Sequence, residues 1–223
     1  MPFPELIDNE EYSLTERVFN TLKQGILSLE IKPRDYLVIG DIAKEYGVSR
    51  TPVREALIML EREGWVESDG RRGAKVTVPS AKVILEVIEV QAALEGYVVR
   101  RATPLLKDTD FQAMEALLIQ ADQAIANQED DQARELGDAF HTYLFDIVGN
   151  RKLKAQIQQL QEHTDRIRPI IWHHAIVPVE TSAQQHWDIL QALKQRDVAK
   201  AEDLMFYHTI WYEKELASVL KNL

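Results

Sequence analysis

Cysteine is absent from the 223 residues, which excludes a disulfide framework and any thiolate nucleophile and fits a reducing compartment. Glycine and proline are sparse, nine and eight residues, so the chain leans toward helix. No apolar run approaches the ~18 residues of a membrane span. The start, "MPFPELIDNEEYSL", lacks a basic segment followed by an apolar one, so no signal peptide is expected. The expectation is a cytoplasmic protein with no membrane partner. A basic excess is missing too: the net charge is −10. Residues 1–78 carry 11 basic and 14 acidic side chains, the remainder 15 and 22. This bears against an unspecific nucleic-acid binder, and any contact with DNA has to rest on a local cationic cluster.

What is present divides into two textures. Ser13 and Glu16 form a capping box, and Leu14, Val18, Leu22, Ile26 and Leu29 make one stripe of a helix over 13–29. Lys32–Leu37 reads as a turn broken by Pro33. Ile39–Tyr46 is a short helix stopped by Gly47. Ser49 caps a third helix with Pro52 in its first turn, where a missing N–H costs nothing, and Leu57, Ile58, Met59 and Leu60 carry its buried face. "WVES" and "AKVTV" alternate as two strands, with Gly70 and Gly73 bracketing their turn. The order helix, helix, turn, helix, hairpin is that of a winged helix-turn-helix. From Ala81 onward no strand pattern is found. Six helices are predicted at 81–103, 107–127, 130–149, 151–174, 179–195 and 197–220, with a kink at Pro169, and short connections imply an antiparallel bundle. The fold class is mostly α, with domains at 1–78 and 79–223.

Arg50 and Arg54 stand four residues apart at the front of the third helix, where they can face solvent, an acidic partner or a DNA groove. Pairing with glutamates of their own helix, such as Glu55, is the bland alternative. The capped entry and a hairpin tip carrying Arg71, Arg72 and Lys75 favour DNA. In a helix-turn-helix the second helix enters the major groove N-terminus first, and arginine bridges guanine O6 and N7. Ser49 and Thr51 hydroxyls and the helix N-terminus suit phosphate oxygens. All six histidines lie in the second half. His141, His186 and His208 fall on three predicted helices, and three imidazoles converging in a bundle would hold a divalent metal such as zinc, nickel or manganese. A scattered histidine is more often a surface or satisfied core residue.

"YGVSRTPVREALIMLEREGWV" closely resembles the DNA-binding head of GntR-type bacterial transcription regulators, a match that runs from about Leu14 to Val78. The resemblance implies operator contacts by Arg50, Thr51, Arg54 and the wing glycine Gly73. Some relatives add an arginine where this chain has Gly40, a role open to Arg34, and their turn reads Pro-Gly where this one reads Pro33-Arg34. The segments "EVQAALEGYVVRRA", "FHTYLFDIVGN" and "HWDILQALKQRDVAKAEDLMFYH" resemble the all-helical FCD-type effector domain of the FadR subgroup. That resemblance implies a metal held by one Asp and three His, beside a pocket for a small carboxylic acid. His141, His186 and His208 match the histidines. The usual Asp position is Gly137, leaving Asp138 as the nearest carboxylate. Gln91 replaces an arginine that faces the effector, a task open to Arg134 or Arg168. The resemblance further implies a homodimer on an inverted-repeat operator, with effector binding shifting the helix at 81–103 and Pro79-Ser80 passing the shift to the head. Two rivals are a metal-dependent hydrolase on the bundle, using Asp138 or Glu135 as base with a partner-binding head, and a structural adaptor.

Overall fold

The computed structural model describes residues 3–9, 11–70, 72–78, 80–165 and 178–211. Arg71, Pro79, Arg168, Pro169 and the predicted helix ends at 166–174 and 212–220 lie outside the described residues. The chain divides into two compact units, Met1–Pro79 and Ser80–Leu223.

In the first unit, α1 spans Leu14–Leu27, α2 Ile39–Glu45 and α3 Arg50–Arg62. The capping box forms: Glu16 N–H donates to Ser13 Oγ, and Glu16 Oε2 accepts from Ser13 N–H at 2.8 Å. Val18, Leu22 and Ile26 are fully buried, whereas Leu14 and Leu29 at the ends of the predicted stripe are exposed. Gly47 adopts a left-handed φ of 64° and closes α2. The core joins these residues to Val53, Ala56, Leu57, Leu60 and the fully buried Trp65. Lys23, itself buried, ties α1 to the end of α3 through Glu63 at 2.9 Å, and Glu63 also accepts the Trp65 indole N–H.

Four local expectations are corrected. The stretch read as a plain turn ends in a strand, β1 (Tyr36–Val38), which pairs antiparallel with β3 (Gly73–Val76) on the side opposite β2 (Val66–Ser68). The wing is therefore the far side of a three-stranded sheet in the order β1-β3-β2. Ser49 occupies the N-cap position of α3, but its side chain makes no capping hydrogen bond. Ile58 is 41% exposed, because the buried face of α3 runs through Pro52, Val53, Ala56, Leu57 and Leu60 instead. Arg34 sits at φ 73°, a conformation that suits glycine and costs an L-residue about 1 kcal/mol. An unforeseen feature is the segment before α1: Ile7 N–H donates to Thr21 Oγ1, and Arg17 Nε donates to the Ile7 carbonyl.

In the second unit the described helices are α4 (Ala81–Ala102), α5 (Asp108–Ala126), α6 (Asp130–Val148), α7 (Arg151–Asp165), α8 (Val179–Lys194) and α9 (Val198–Ile210). Ser80 caps α4 by accepting from Val83 N–H, and Asp197 caps α9 by accepting from Lys200 N–H. Gly149, with φ 64°, stops α6. Helix α4 packs on α9, α7 and α6, while α5 packs on α6 and α8. Their shared core includes Met114, Leu118, Phe140, Leu144, Ile189, Leu190 and Met205. At one corner Arg196 donates to the Thr103 and Leu106 carbonyls and lies over the Phe111 ring, joining the α8–α9 turn to the α4–α5 turn. The mostly helical architecture, with a winged helix-turn-helix followed by a bundle, is the one read from the sequence.

Candidate functional site

On the head, Ser49, Arg50, Thr51 and Arg54 are all exposed at the start of α3. Residues four apart share a helix face, so α3 turns both guanidinium groups to the same side. Arg50, Arg54 and Arg72 line one concavity with Tyr36, Val38, Ile39, Gly40 and Asp69. The side-chain face of β1 thus borders the arginines, which the two-strand reading did not foresee. Among the described residues neither Arg50 nor Arg54 enters an ion pair. Glu55, the expected intrahelical partner, instead accepts from Thr15 at 2.9 Å. An Arg50 nitrogen lies 3.9 Å from where a Cβ on Gly40 would stand, so Arg50 overhangs the place where relatives carry an arginine. Arg34 is exposed but does not line this concavity. Gly73 is buried, and a Cβ there would stand 2.0 Å from the Leu37 carbonyl oxygen. Strand packing alone thus accounts for glycine at this position.

In the helical unit, α6, α8 and α9 bring His141, His186 and His208 together. His141 Nε2 lies 3.0 Å from His186 Nε2 and 3.2 Å from His208 Nε2. Two nitrogens bound to one zinc stand about 3–3.4 Å apart, given a Zn–N bond of about 2.0–2.1 Å. The opposite ring nitrogens decide the tautomers. His141 Nδ1 lies 2.8 Å from Glu95 Oε2, and His208 Nδ1 lies 2.8 Å from Gln185 Oε1. A carboxylate and an amide oxygen only accept, so Nδ1 carries the hydrogen in both rings and each Nε2 presents a lone pair to the other. Lone pairs facing each other at this distance repel unless a cation lies among them. The donor set therefore fits a divalent metal. Burial, reinforced by the neighbouring rings, pushes His186 well below the usual imidazole range and His208 down to about 3, so both are neutral, the ligating form.

Glu95 is the functional residue the sequence reading missed. It is 1% exposed on α4. Burial raises its pKa, but His141, together with the Gln91 hydrogen bond and His208, outweighs that and holds the carboxyl below the usual range. Its signal was available: a carboxylate on the helix face otherwise made by Ile84, Ile88, Ala92, Val98 and Val99. Gln185, next to His186 in the chain, was missed as well.

Asp138 borders the same cavity but is exposed and stands outside the convergent ligand atoms. One residue is about 100° of helix rotation. Gly137, on the face of His141, abuts the His186 ring, where a Cβ would come within 2.9 Å of Cε1. The histidines open onto a cavity of about 170 Å³, also lined by Gln91, Arg134, Gln161, Thr164 and Ser182. Gln91 donates to Glu95 Oε1 at 2.7 Å, and Arg134 lies 3.9 Å from Asp131 on its own helix. Of the three residues proposed to face an effector, Gln91 and Arg134 reach the cavity.

Two family models match the chain: the gntR family of bacterial regulatory proteins over residues 14–76, and the FCD domain over 86–210. The HTH-type transcriptional repressor RspR of Escherichia coli (strain K12) is 30% identical over 200 residues, covering 90% of this chain and 87% of that protein. The uncharacterized HTH-type transcriptional regulator YdhC of Bacillus subtilis (strain 168) is 29% identical over 193 residues, 85% of each. Among solved structures, E. coli McbR/YncC superposes with a TM-score of 0.66 at 23% identity, covering 95% of this chain and 98% of that one. A putative transcriptional regulator GntR from Rhodococcus sp. RHA1 gives 0.65 at 22% identity, covering 95% and 100%. These two structures support the fold.

Proposed function

The chain belongs to the GntR family of bacterial regulatory proteins, with an FCD domain after its DNA-binding head, and we propose on that basis how this regulator reads its operator and senses its effector. The head, residues 1–78, reads a half-site through Arg50 and Arg54 on base edges. Ser49, Thr51, Arg71 and Arg72 hold phosphates, and Arg34 and Gly73 stand at the border of the contact. One head spans few base pairs, so two heads of a homodimer take an inverted repeat. The helical unit, residues 79–223, is of the FadR type. It holds a zinc, nickel or manganese ion through His141, His186 and His208, with Glu95 orienting His141 and Asp138 at the cavity wall. The ion's chemistry would be that of a Lewis acid beside a small carboxylic acid. Gln91 and Arg134 line the cavity for that acid, and Arg168 is retained from the sequence reading as a further partner. The protein acts in the cytoplasm.

The observation that carries the effector part is the convergence of three imidazoles with their tautomers fixed at the wall of a polar-lined cavity. An effector changes operator affinity only if it binds the two head arrangements unequally. The hydrolase alternative finds no support: the relatives bear names of transcription regulators, and the carboxylate beside the cluster is engaged by His141 and Gln91. The adaptor reading leaves the three arginines around one concavity without a purpose.

The test is operator selection from random duplexes, followed by titration with small organic acids in the presence and absence of zinc. Selection of an inverted repeat, with affinity altered by an acid only in the metal-loaded protein, is expected. A selected operator whose affinity no acid alters, with or without metal, would overturn the effector reading and leave the DNA-binding one intact.

A further inference from the structure

Helix α4 has two apolar faces. The first is buried in its own bundle through Ile84, Ile88, Ala92, Val98 and Val99. The second runs Val83, Val87, Val90, Leu94 and Tyr97, in alternating steps of four and three residues, and ends at Arg101. That alternation is the spacing of a helix–helix seam, and it lines up one narrow stripe along the helix. Val83, Val90 and Tyr97 are 46%, 51% and 43% exposed, and Val87 and Leu94 are half-buried. Scattered exposed apolar residues are ordinary on a protein surface, but a run of five in register on one helix is not.

The charges beside the stripe are unequally distributed. Glu86 and Glu89 flank its N-terminal half, while Arg100 and Arg101 stand at its C-terminal end. Their partners within the chain are loose or neutral: Lys82 lies 3.7 Å from Glu86, Glu202 lies 3.8 Å from Arg100, and Arg101 donates to the Tyr97 hydroxyl. We propose that this seam docks the same seam of a second copy, the two α4 helices running antiparallel about a two-fold axis near Leu94. An antiparallel pair sets the arginine end of each helix against the glutamate half of the other. A parallel pair sets like against like. The charge pattern thus selects both the occupant and its direction, and an identical surface on each partner closes the assembly at two. This deepens the dimeric reading given above and rests on it.

The experiment is sedimentation equilibrium on the full chain, with circular dichroism on every variant. The parent is expected to be a dimer, and Val90→Glu to remain helical and become a monomer. Glu86→Arg with Glu89→Arg should weaken the dimer at least tenfold, and adding Arg100→Glu with Arg101→Glu should restore it. A monomeric parent at tens of micromolar, or a charge-reversed variant that dimerises as tightly as the parent, would overturn the seam, and this holds even if Val90→Glu fails to fold. Failure of operator reading is separate: a parent that sediments as a dimer through this seam yet selects no inverted repeat overturns the DNA assignment alone.

Discussion

Arg50 and Glu95 are both charged residues on helices, and the two units use them in opposite ways. In the head, Arg50, Arg54 and Arg72 stand outside, around a concavity, above a core of Val18, Leu22, Leu60 and Trp65. In the helical unit the chemistry is inside: Glu95, His141 and His186 are buried, and His208 closes the cluster. An outward-facing reader needs only to be held up by a core beneath it. An inward-facing site replaces part of the core, and every polar atom in it needs a partner, because an unpaired buried group costs about 1–3 kcal/mol. The hydrogen bonds from Glu95, Gln91 and Gln185 into the cluster meet that requirement.

The contrast can be broken at several points. The largest effect is expected from Gly73→Ala: its Cβ would meet the Leu37 carbonyl 2.0 Å away, so β1 and β3 separate and the head loses about 4 kcal/mol, read by denaturant unfolding. The double variant Arg50→Ala, Arg54→Ala is expected to leave that stability unchanged and to weaken operator binding by about 1–3 kcal/mol per arginine, measured by fluorescence anisotropy at matched salt. Glu95→Gln is expected to lower zinc affinity by about 10–100-fold in competition with a chromophoric chelator, with DNA binding by the metal-free protein untouched. If both functions fell together, the two units would not be separable in this way.

Acid provides a fourth test, confined to the inner site. His186 and His208 have folded pKa values depressed below 6.5, so the unfolded chain binds more protons than the folded one under mild acid. Their contribution to stability is fully present above about pH 6.5 and is lost as pH falls toward the His208 value of about 3. The melting temperature of the metal-free protein is expected to drop by several degrees between about pH 7 and pH 5, and His208→Gln should flatten that slope. The smallest effect is expected from Arg34→Gly, which relieves the φ of 73° and stabilises the head by roughly 0.5–1 kcal/mol. Weaker operator binding by this more stable variant would identify Arg34 as a DNA contact, and unchanged binding would remove it.

The same contrast explains how much was legible beforehand. Ser49, Arg50, Thr51 and Arg54 are contiguous, and a helix face follows from their spacing alone. The three histidines were found by type, but their convergence depends on how α6, α8 and α9 pack, which no local period encodes. Glu95 was passed over because a carboxylate in a helix is ordinarily solvated, and only the faces of its neighbours mark it as interior. The helix rotation that turns Asp138 outward was foreseen, whereas the His186 ring that leaves Gly137 no room for a side chain was not. Strand β1 escaped because three residues are too few for alternation to be counted, and Arg34 hides a turn that favours glycine.

Strand β1 has one more implication. Because Tyr36–Val38 is hydrogen-bonded to Gly73–Val76, the loop that enters α2 and the arm that reaches past α3 are stitched along a common edge. Lengthening or loosening the connection between α1 and α2 would therefore misaim the wing tip, so natural variation in that remote connection is a lever on which minor-groove sequences the regulator tolerates.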